Sequence, residues 1–391
     1  MNRPSRRKIS GAVVFAAVLL FAALAAAALI PAARQKLAAP LGPALDLPTY
    51  TPTSIPKATR QSTPVRQEVP SALTAQPSVV PSASPIAVAV AASPTPTPEP
   101  LCGGPELMYI LGIGADNGSD NYQYGLADVI RVARVDFTAP RVTVLSLPRD
   151  LWVEIPGISD HYGLTHGKLN QSYLYGGKGM GYYDGPGEGP GLLARTLDLN
   201  FGLRVDHYGA VNMYTFVRII DALGGIDLYL PESVDGTSND PWIEDMGYFP
   251  AGNHHFTGAE ALRFSRIRIR SSDFNRADHQ TMVLCALKEK LLTPAVVPKI
   301  PNIIASFYNA VLTDLSLEQI GQLACLLPHL NSENLLFASL PKELFKQSQV
   351  YSPQMKDNTF VLDADYDVIR QYVREFQAGA WPTQSKESSC P

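Results

Sequence analysis

Three stretches decide the fold: Leu107-Met-Tyr-Ile-Leu-Gly-Ile113, Asp128-Val-Ile-Arg-Val-Ala-Arg-Val-Asp136 and Arg141-Val-Thr-Val-Leu-Ser-Leu147. The first is a short apolar run of the kind that forms a buried strand. The other two are rich in β-branched residues and are joined by the turn around Thr138-Ala-Pro140. Downstream, Leu192 to Leu199 has a helical pattern, and Tyr208-Gly-Ala-Val-Asn212 reads as a short strand. Phe216 to Leu223 is a helix stopped at Gly224-Gly225, and Ile226-Asp-Leu-Tyr-Leu230 is the next strand. Gly258 to Phe264 and Arg276 to Leu292 are helical. Strands and helices alternate, so the class is α/β: a single domain with a central mixed β-sheet flanked by helices. Residues 301 to 380 add helices over Leu317–Leu327 and Asp365–Phe376 and a strand near Leu335-Leu-Phe-Ala-Ser339, an extension of the same unit.

Working outward from that core, the N-terminal quarter is not ordinary globular sequence. Of 33 prolines, fourteen fall between Pro40 and Pro100. Such Pro-, Ser-, Thr- and Ala-rich sequence cannot bury a core and favours extended conformations, so residues 34–100 are expected to be a disordered stalk. Before it, Ile9 to Ala33 is an uncharged run preceded by Arg3, Arg6, Arg7 and Lys8. As a helix it would be roughly 37 Å long, enough to cross a hydrocarbon core of about 30 Å with some tilt. It exceeds the roughly 7–15 residues of a secretory h-region, and the positive-inside rule places residues 1–8 in the cytoplasm and the remainder outside. The expected organisation is therefore a single-pass anchor (9–33), the alternative being a long signal peptide cut in the alanine-rich stretch around Ala26–Ala33, then the stalk (34–100), a catalytic domain (101–292) and a C-terminal helical extension and tail (293–391).

A formal net charge of −4 argues against a general nucleic-acid binder. Outside the membrane the four cysteines, Cys102, Cys285, Cys325 and Cys390, are free to oxidise. Sequence allows three complete pairings, among which a clip between Cys102 and Cys390 would tie the two ends of the folded region. Common catalytic signatures are missing: there is no Gly-x-Ser-x-Gly, His-Glu-x-x-His or Walker loop. Gly112-Ile-Gly114 follows a strand, but Asn117 stands where the third glycine of a dinucleotide fingerprint belongs. Asp116-Asn-Gly-Ser-Asp120 has Ala127 where an EF-hand needs its glutamate.

What stands out is arginine. Between Arg263 and Arg276 there are five arginines (263, 266, 268, 270 and 276) and one acid, Asp273. In an extended segment Arg266, Arg268 and Arg270 share one face while Ile267 and Ile269 point to the other and pack down. The arginine face then calls for an anion, because guanidinium is always charged and forks onto phosphate or carboxylate oxygens. Ser146-Leu-Pro-Arg149-Asp150 supplies another arginine at a strand end, where α/β proteins place ligands. Asp116, after the first strand, and Asp128, at the start of the second, add two hard oxygen donors. Together these residues suit magnesium or manganese bridging a pyrophosphate.

These residues lie in a set of motifs: Ile110-Leu-Gly-Ile-Gly-Ala-Asp116, Ala127-Asp128, Ser146-Leu-Pro-Arg-Asp150, Lys168-Leu-Asn170, Asp221-Ala-Leu-Gly-Gly225 and Arg266-x-Arg268-x4-Asp273-x2-Arg276-x3-Gln280. In order and spacing the set resembles the LytR–CpsA–Psr family over roughly residues 105 to 292. The resemblance implies an α/β fold with an apolar groove for a lipid tail. It also implies extracytoplasmic transfer of a phosphoglycopolymer from a polyprenyl-pyrophosphate carrier to a cell-wall acceptor, with magnesium. Position by position, it makes Asp116 and Asp128 metal carboxylates and Arg149, Arg266, Arg268 and Arg276 a pyrophosphate clamp. Asp273 and Gln280 orient those arginines or touch the head group, with Lys168 nearby. The chain departs from the family pattern at Asn117-Gly118, at Leu126-Ala127 and at His279, which leaves the pocket less basic. The implied reaction is attack of an acceptor hydroxyl on the glycan-side phosphorus, with polyprenyl phosphate leaving. Asp150 is either the acceptor of the nucleophile's proton or a local ion-pair partner. The rival readings are a polyprenyl-pyrophosphate hydrolase and a non-catalytic binder of anionic wall polymer. Regulation of transcription fits poorly with an exported domain lacking a helix-turn-helix signal.

Overall fold

The computed structural model describes residues 35–47, 99–117, 122–268, 273–293, 296, 303, 310–331 and 333–383. The anchor read over Ile9–Ala33 and most of the stalk lie outside the described residues. Among the described residues no helix is long and apolar enough to cross a membrane.

The strands are β1 (Leu107–Ala115), β2 (Ala127–Asp136), β3 (Arg141–Leu147), β4 (Trp152–Glu154), β5 (His166–Lys168), β6 (His207–Asn212), β7 (Ile226–Leu230), β8 (Val234–Asp235), β9 (Tyr248–Phe249), β10 (Gly252–Phe256), β11 (Leu312–Thr313), β12 (Leu335–Ser339), β13 (Phe345–Ser352) and β14 (Asp357–Ala364). The longer helices are α1 (Leu169–Gly176), α2 (Glu188–Phe201), α3 (Met213–Ala222), α4 (Gly258–Arg266), α5 (Asp273–Leu291), α6 (Leu317–Leu326) and α7 (Tyr366–Gln377). The central sheet has the order β11-β6-β1-β2-β3-β12. Its middle is an antiparallel meander of β1, β2 and β3, while β6 joins β1 and β12 joins β3 in parallel, so the sheet is mixed as expected.

Alternation along the strands separates two faces. Leu111, Ile113, Ile130, Val132, Leu145 and Leu147 point into one core, covered by buried residues of α1, α2 and α7. Each such side chain, fully buried, contributes about 1.5–3 kcal/mol. On the opposite face Met108 and Val135 meet Leu315 and Leu326 near α6. A second lobe packs Ile226, Phe249, Phe256, Phe264 and Ile267 together around α3, α4 and α5. The motif Asp221-Ala-Leu-Gly-Gly225 has a structural job here. Asp221 Oδ1 accepts the backbone N–H of Gly258 at 2.7 Å, fixing the start of α4. Gly225 has φ +81°, and a Cβ there would stand 2.8 Å from the Phe256 carbonyl, so only glycine serves.

Three sequence expectations change. Where it is described, the C-terminal extension is not purely helical: β11 and β12 are the two edges of the central sheet, and β13 and β14 form a hairpin the sequence reading did not include. Part of the proline-rich segment is packed rather than free. Leu45 is 2 % exposed in the main core, Leu41 N–H donates to the Leu315 carbonyl and the Tyr208 hydroxyl donates to the Pro43 carbonyl. One leucine with an apolar seat and backbone partners outweighs the local composition. Finally, Cys102 pairs with Cys325, and Cys285 is also disulfide-bonded, so the Cys102–Cys390 clip does not form. The short turn after Pro100 lies close to α6, which puts Cys325 in reach with Cα atoms 5.9 Å apart.

Candidate functional site

The site is organised by an irregularity in β2. The β1–β2 register runs evenly from Leu107↔Asp136 to Gly114↔Val129, then skips to Ala115↔Ala127. Asp128 is the extra, unpaired residue of this bulge, and its N–H turns back to the Leu126 carbonyl at 3.0 Å. Bulges re-aim a side chain at a sheet's rim, and here the carboxylate is met from both layers. Arg149 Nη1 donates to Oδ1 at 2.6 Å and Arg268 Nη2 to Oδ2 at 3.1 Å, while Arg276 Nη1 stands 3.6 Å from Oδ2. Asn170 Nδ2 adds a longer contact to Oδ1 at 3.5 Å.

Behind this sits a second carboxylate. Asp150 is 2 % exposed; its Oδ2 accepts Arg149 Nε at 3.1 Å and its Oδ1 accepts Lys168 Nζ at 2.9 Å. Arg149 is thereby held along its length between two acids, and Lys168 also lies over the Phe360 ring at 5.7 Å. Chain connectivity reinforces the arrangement: Asn170 N–H donates to the Arg149 carbonyl and Leu169 N–H to the Leu151 carbonyl, locking the start of α1 to the end of β3.

Asp116 follows β1. Its Oδ1 accepts the Leu126 N–H at 2.6 Å and its own N–H donates to the Leu126 carbonyl. Gly125, with φ +127°, permits this close return, since a Cβ there would lie 3.2 Å from Asp116 Oδ1. Partial burial pushes the Asp116 carboxyl above its ordinary pKa. The neighbouring charge of Asp128 pushes the same way, against the Leu126 hydrogen bond and the field of Arg149.

The structure therefore brings together Asp116, Asp128, Arg149, Asp150, Lys168, Arg268 and Arg276. Other expected members go elsewhere. Arg266 does not share an extended face with Arg268: it is the last residue of α4, and its Nη1 pairs with Glu244 at 2.8 Å. The helix persists that far because a Thr257–Glu260 capping box starts it and Arg263 and Arg266 suit its C-terminal dipole. Ile267, just past the helix, is buried as the alternation predicts, while Ile269 and Arg270 lie outside the described residues. Gln280 Nε2 donates to the Ser265 carbonyl at 3.5 Å, tying α5 to α4. Asp273 opens α5, and its side chain lies outside the described set. Asn170 was legible only as part of a motif. Arg131, nearly fully buried in β2, was missed, although a charge inside an apolar strand run is a signal.

Among the described residues no group of three or more His, Cys, Asp or Glu could hold a metal. Asp116 and Asp128 nevertheless fit a magnesium ion, which is commonly held by one or two carboxylates and completed by substrate phosphates and water. Burial is the main cause of the raised Asp116 pKa, and the charge of Asp128 adds to it, so a nearby cation would favour the ionised form of Asp116.

A mixed-sheet α/β domain with a carboxylate gripped by arginines at its rim has the equipment to offer those guanidiniums to an anion. The LytR_cpsA_psr family model matches residues 103–372, and the chain belongs to that family. The match runs through β12, β13 and β14, as the sheet topology requires. Similar proteins include the regulatory protein MsrR of Staphylococcus aureus, 29 % identical over 211 residues, covering 52 % of this chain and 57 % of MsrR. Another is the polyisoprenyl-teichoic acid–peptidoglycan teichoic acid transferase TagU of Enterococcus faecalis, 27 % identical over 223 residues, covering 56 % of this chain and 65 % of TagU. The chain thus spans less than two thirds of the length of these relatives. Among solved structures, Bacillus subtilis TagV superposes with a TM-score of 0.53 at 24 % identity, covering 70 % of this chain and 98 % of TagV. The protein gbs0355 of Streptococcus agalactiae gives 0.55 at 20 % identity, with coverage of 73 % and 90 %. These likenesses are likenesses of fold.

Proposed function

We propose that the protein transfers a phosphoglycopolymer from a polyprenyl-pyrophosphate carrier to a hydroxyl of the cell wall, outside the cell, anchored by the helix read over Ile9–Ala33. The observation that carries this reading is the three-guanidinium grip on Asp128. Three like-charged groups on one carboxylate repel one another, and an incoming diphosphate offers them more negative charge than Asp128 does. TagU, a relative whose name states transfer of teichoic acid from a polyisoprenyl carrier to peptidoglycan, supports the same substrate class.

In the reaction the acceptor oxygen attacks the glycan-side phosphorus, and polyprenyl phosphate departs. Phosphoryl transfer is mainly positioning and charge stabilisation. Arg149, braced by Asp150 and Asp128, presents a fixed guanidinium, whereas the more exposed Arg268 is free to follow the phosphate. Magnesium or manganese, which Asp116 and Asp128 would hold, would supply positive charge against the diphosphate. Asp150 serves best as the brace, since it is 2 % exposed and its two oxygens are paired with the cations of Arg149 and Lys168.

The test incubates the full-length chain, in detergent, with a radiolabelled polyprenyl-diphosphate-linked glycan, with and without purified wall. Label moving to the wall, with polyprenyl phosphate released, supports transfer. Release without wall indicates hydrolysis. Binding that survives chelation and leaves the diphosphate intact indicates a binding module and overturns the reading.

A further inference from the structure

Arg131 sits three residues into the sheet from Asp128, roughly 10 Å along β2. It is 5 % exposed, and its Nη2 donates to the Thr281 hydroxyl of α5 at 3.1 Å. That hydroxyl gives its own proton to the Ala277 carbonyl, so it accepts from Arg131 without competition. Among the described residues the guanidinium's Nε and Nη1 are buried with no hydrogen-bond partner. The charge of Asp278 reaches it, but Asp278 pairs with Lys342 Nζ at 2.9 Å. Burial pulls the Arg131 pKa down to about 10, which leaves it charged at neutral pH. A buried cation with unmet donors destabilises the fold unless something meets them.

The strand register shows what lies beside it. The row across the sheet reads Gly209, Gly112, Arg131, Ser146, Ser339, so both neighbours on each side are small. Among the described residues, a Cβ added at Gly209 would meet nothing within 4 Å, and one at Gly112 would meet only the Arg131 carbonyl oxygen, at 3.6 Å. Gly112, Gly209 and Ser146 leave the strand surface beside Arg131 without bulky side chains, on the sheet face that α5 approaches. That helix also carries Arg276, five residues before Thr281, or about 7.5 Å of rise. Arg276 thus serves the rim and Thr281 holds Arg131 further in along the same helix.

We propose that Arg131 is a further phosphate-binding and catalytic residue, taking the lipid-side phosphate of the donor while the rim arginines hold the glycan-side phosphate. The inference rests on the transfer reading above. In the step itself, the acceptor oxygen bonds to the glycan-side phosphorus and its proton passes to water. The bond from that phosphorus to the bridging oxygen breaks, and the electron pair stays on the bridging oxygen, now part of polyprenyl monophosphate. Nε–H and Nη1–H of Arg131 donate to that phosphate and stabilise its growing charge. The less basic rim, with Asn117, Ala127 and His279, is thereby supplemented from within the sheet.

The experiment uses the full-length chain in detergent, with Arg131→Met, Arg131→Lys and, as control, Arg149→Ala. Farnesyl monophosphate and farnesol are titrated by calorimetry, and donor turnover is followed separately. Arg131→Met is expected to weaken farnesyl monophosphate binding at least tenfold, leave farnesol binding unchanged and lower kcat about 100-fold. Its melting temperature should equal or exceed that of the wild type, because the unpaired buried charge is gone. Arg131→Lys should regain part of both losses. Wild-type-like monophosphate binding and turnover in Arg131→Met would overturn the proposal. If the wild type ignores farnesyl monophosphate and leaves the donor intact, the transfer reading falls, and this inference with it. If wild type turns over donor, Arg149→Ala does not, and Arg131→Met does, only this inference falls.

Discussion

Arg268→Ala separates function from stability more cleanly than any other change at the site. The Arg268 side chain is 52 % exposed, and its pair with Asp128 is one of several that the carboxylate makes. Removing it leaves Arg149 at 2.6 Å and Arg276 at 3.6 Å, so Asp128 stays compensated. An ion pair that open to water is worth about 0–1 kcal/mol. In a folded region of this size that corresponds to a melting shift of less than roughly 4 °C. The loss in catalysis should be far larger. One preorganised donor to charge that develops in the transition state is worth roughly 100- to 1,000-fold in kcat, about 2.7–4 kcal/mol. The assay is release of polyprenyl phosphate from a labelled lipid-linked diphosphate, run beside thermal melts on the same preparations. Turnover within threefold of wild type at an unchanged melting temperature would refute the assignment of Arg268 to the phosphate. A large drop in melting temperature would instead refute the claim that its pair with Asp128 is structurally minor.

Two further outcomes follow from the same geometry. Asp116 has a raised pKa in the folded chain, so its charged form carries a penalty that is absent below its unfolded pKa and present once pH exceeds the folded value. Asp116→Asn should therefore raise the melting temperature at neutral pH, by an amount that shrinks as the medium is acidified through that range, while abolishing any magnesium stimulation of turnover. A melting temperature that falls at neutral pH would count against it. The Cys102–Cys325 bridge closes a separation of 223 residues, so the double variant Cys102→Ala/Cys325→Ala should lose about 2–4 kcal/mol, read by denaturant titration. An unchanged midpoint would show that the bridge constrains little.

Some of the site was legible because it depends on residue chemistry alone. Guanidiniums need anions, and hard carboxylates beside them suggest a cation and a phosphate, so Asp116, Asp128, Arg149, Lys168, Arg268 and Arg276 could be assembled from their types and motif positions. The error at Arg266 came from applying strand periodicity to a segment whose first arginine is still helical. The capping box at Thr257–Glu260 was the overlooked signal for how strongly that helix begins. Asp150 could not be resolved because an acid next to an arginine reads the same whether it is exposed or sealed. Only the fold shows it buried with both oxygens occupied.

The sequence by itself determined the class of the fold, since alternation of apolar and polar residues is a local property that selects strand or helix and decides which face is buried. It also set the sign of charge that the arginines favour in a partner. The tertiary structure decided which of those residues meet. The bulge that turns Asp128 to the rim, the joining of β12 to β3 and the seat of Leu45 all depend on register and long-range packing. So does the isolation of Arg131 beside a row of glycines and serines. Each is set by contacts between residues far apart in the chain, where a one-residue change of register moves a side chain to the opposite face.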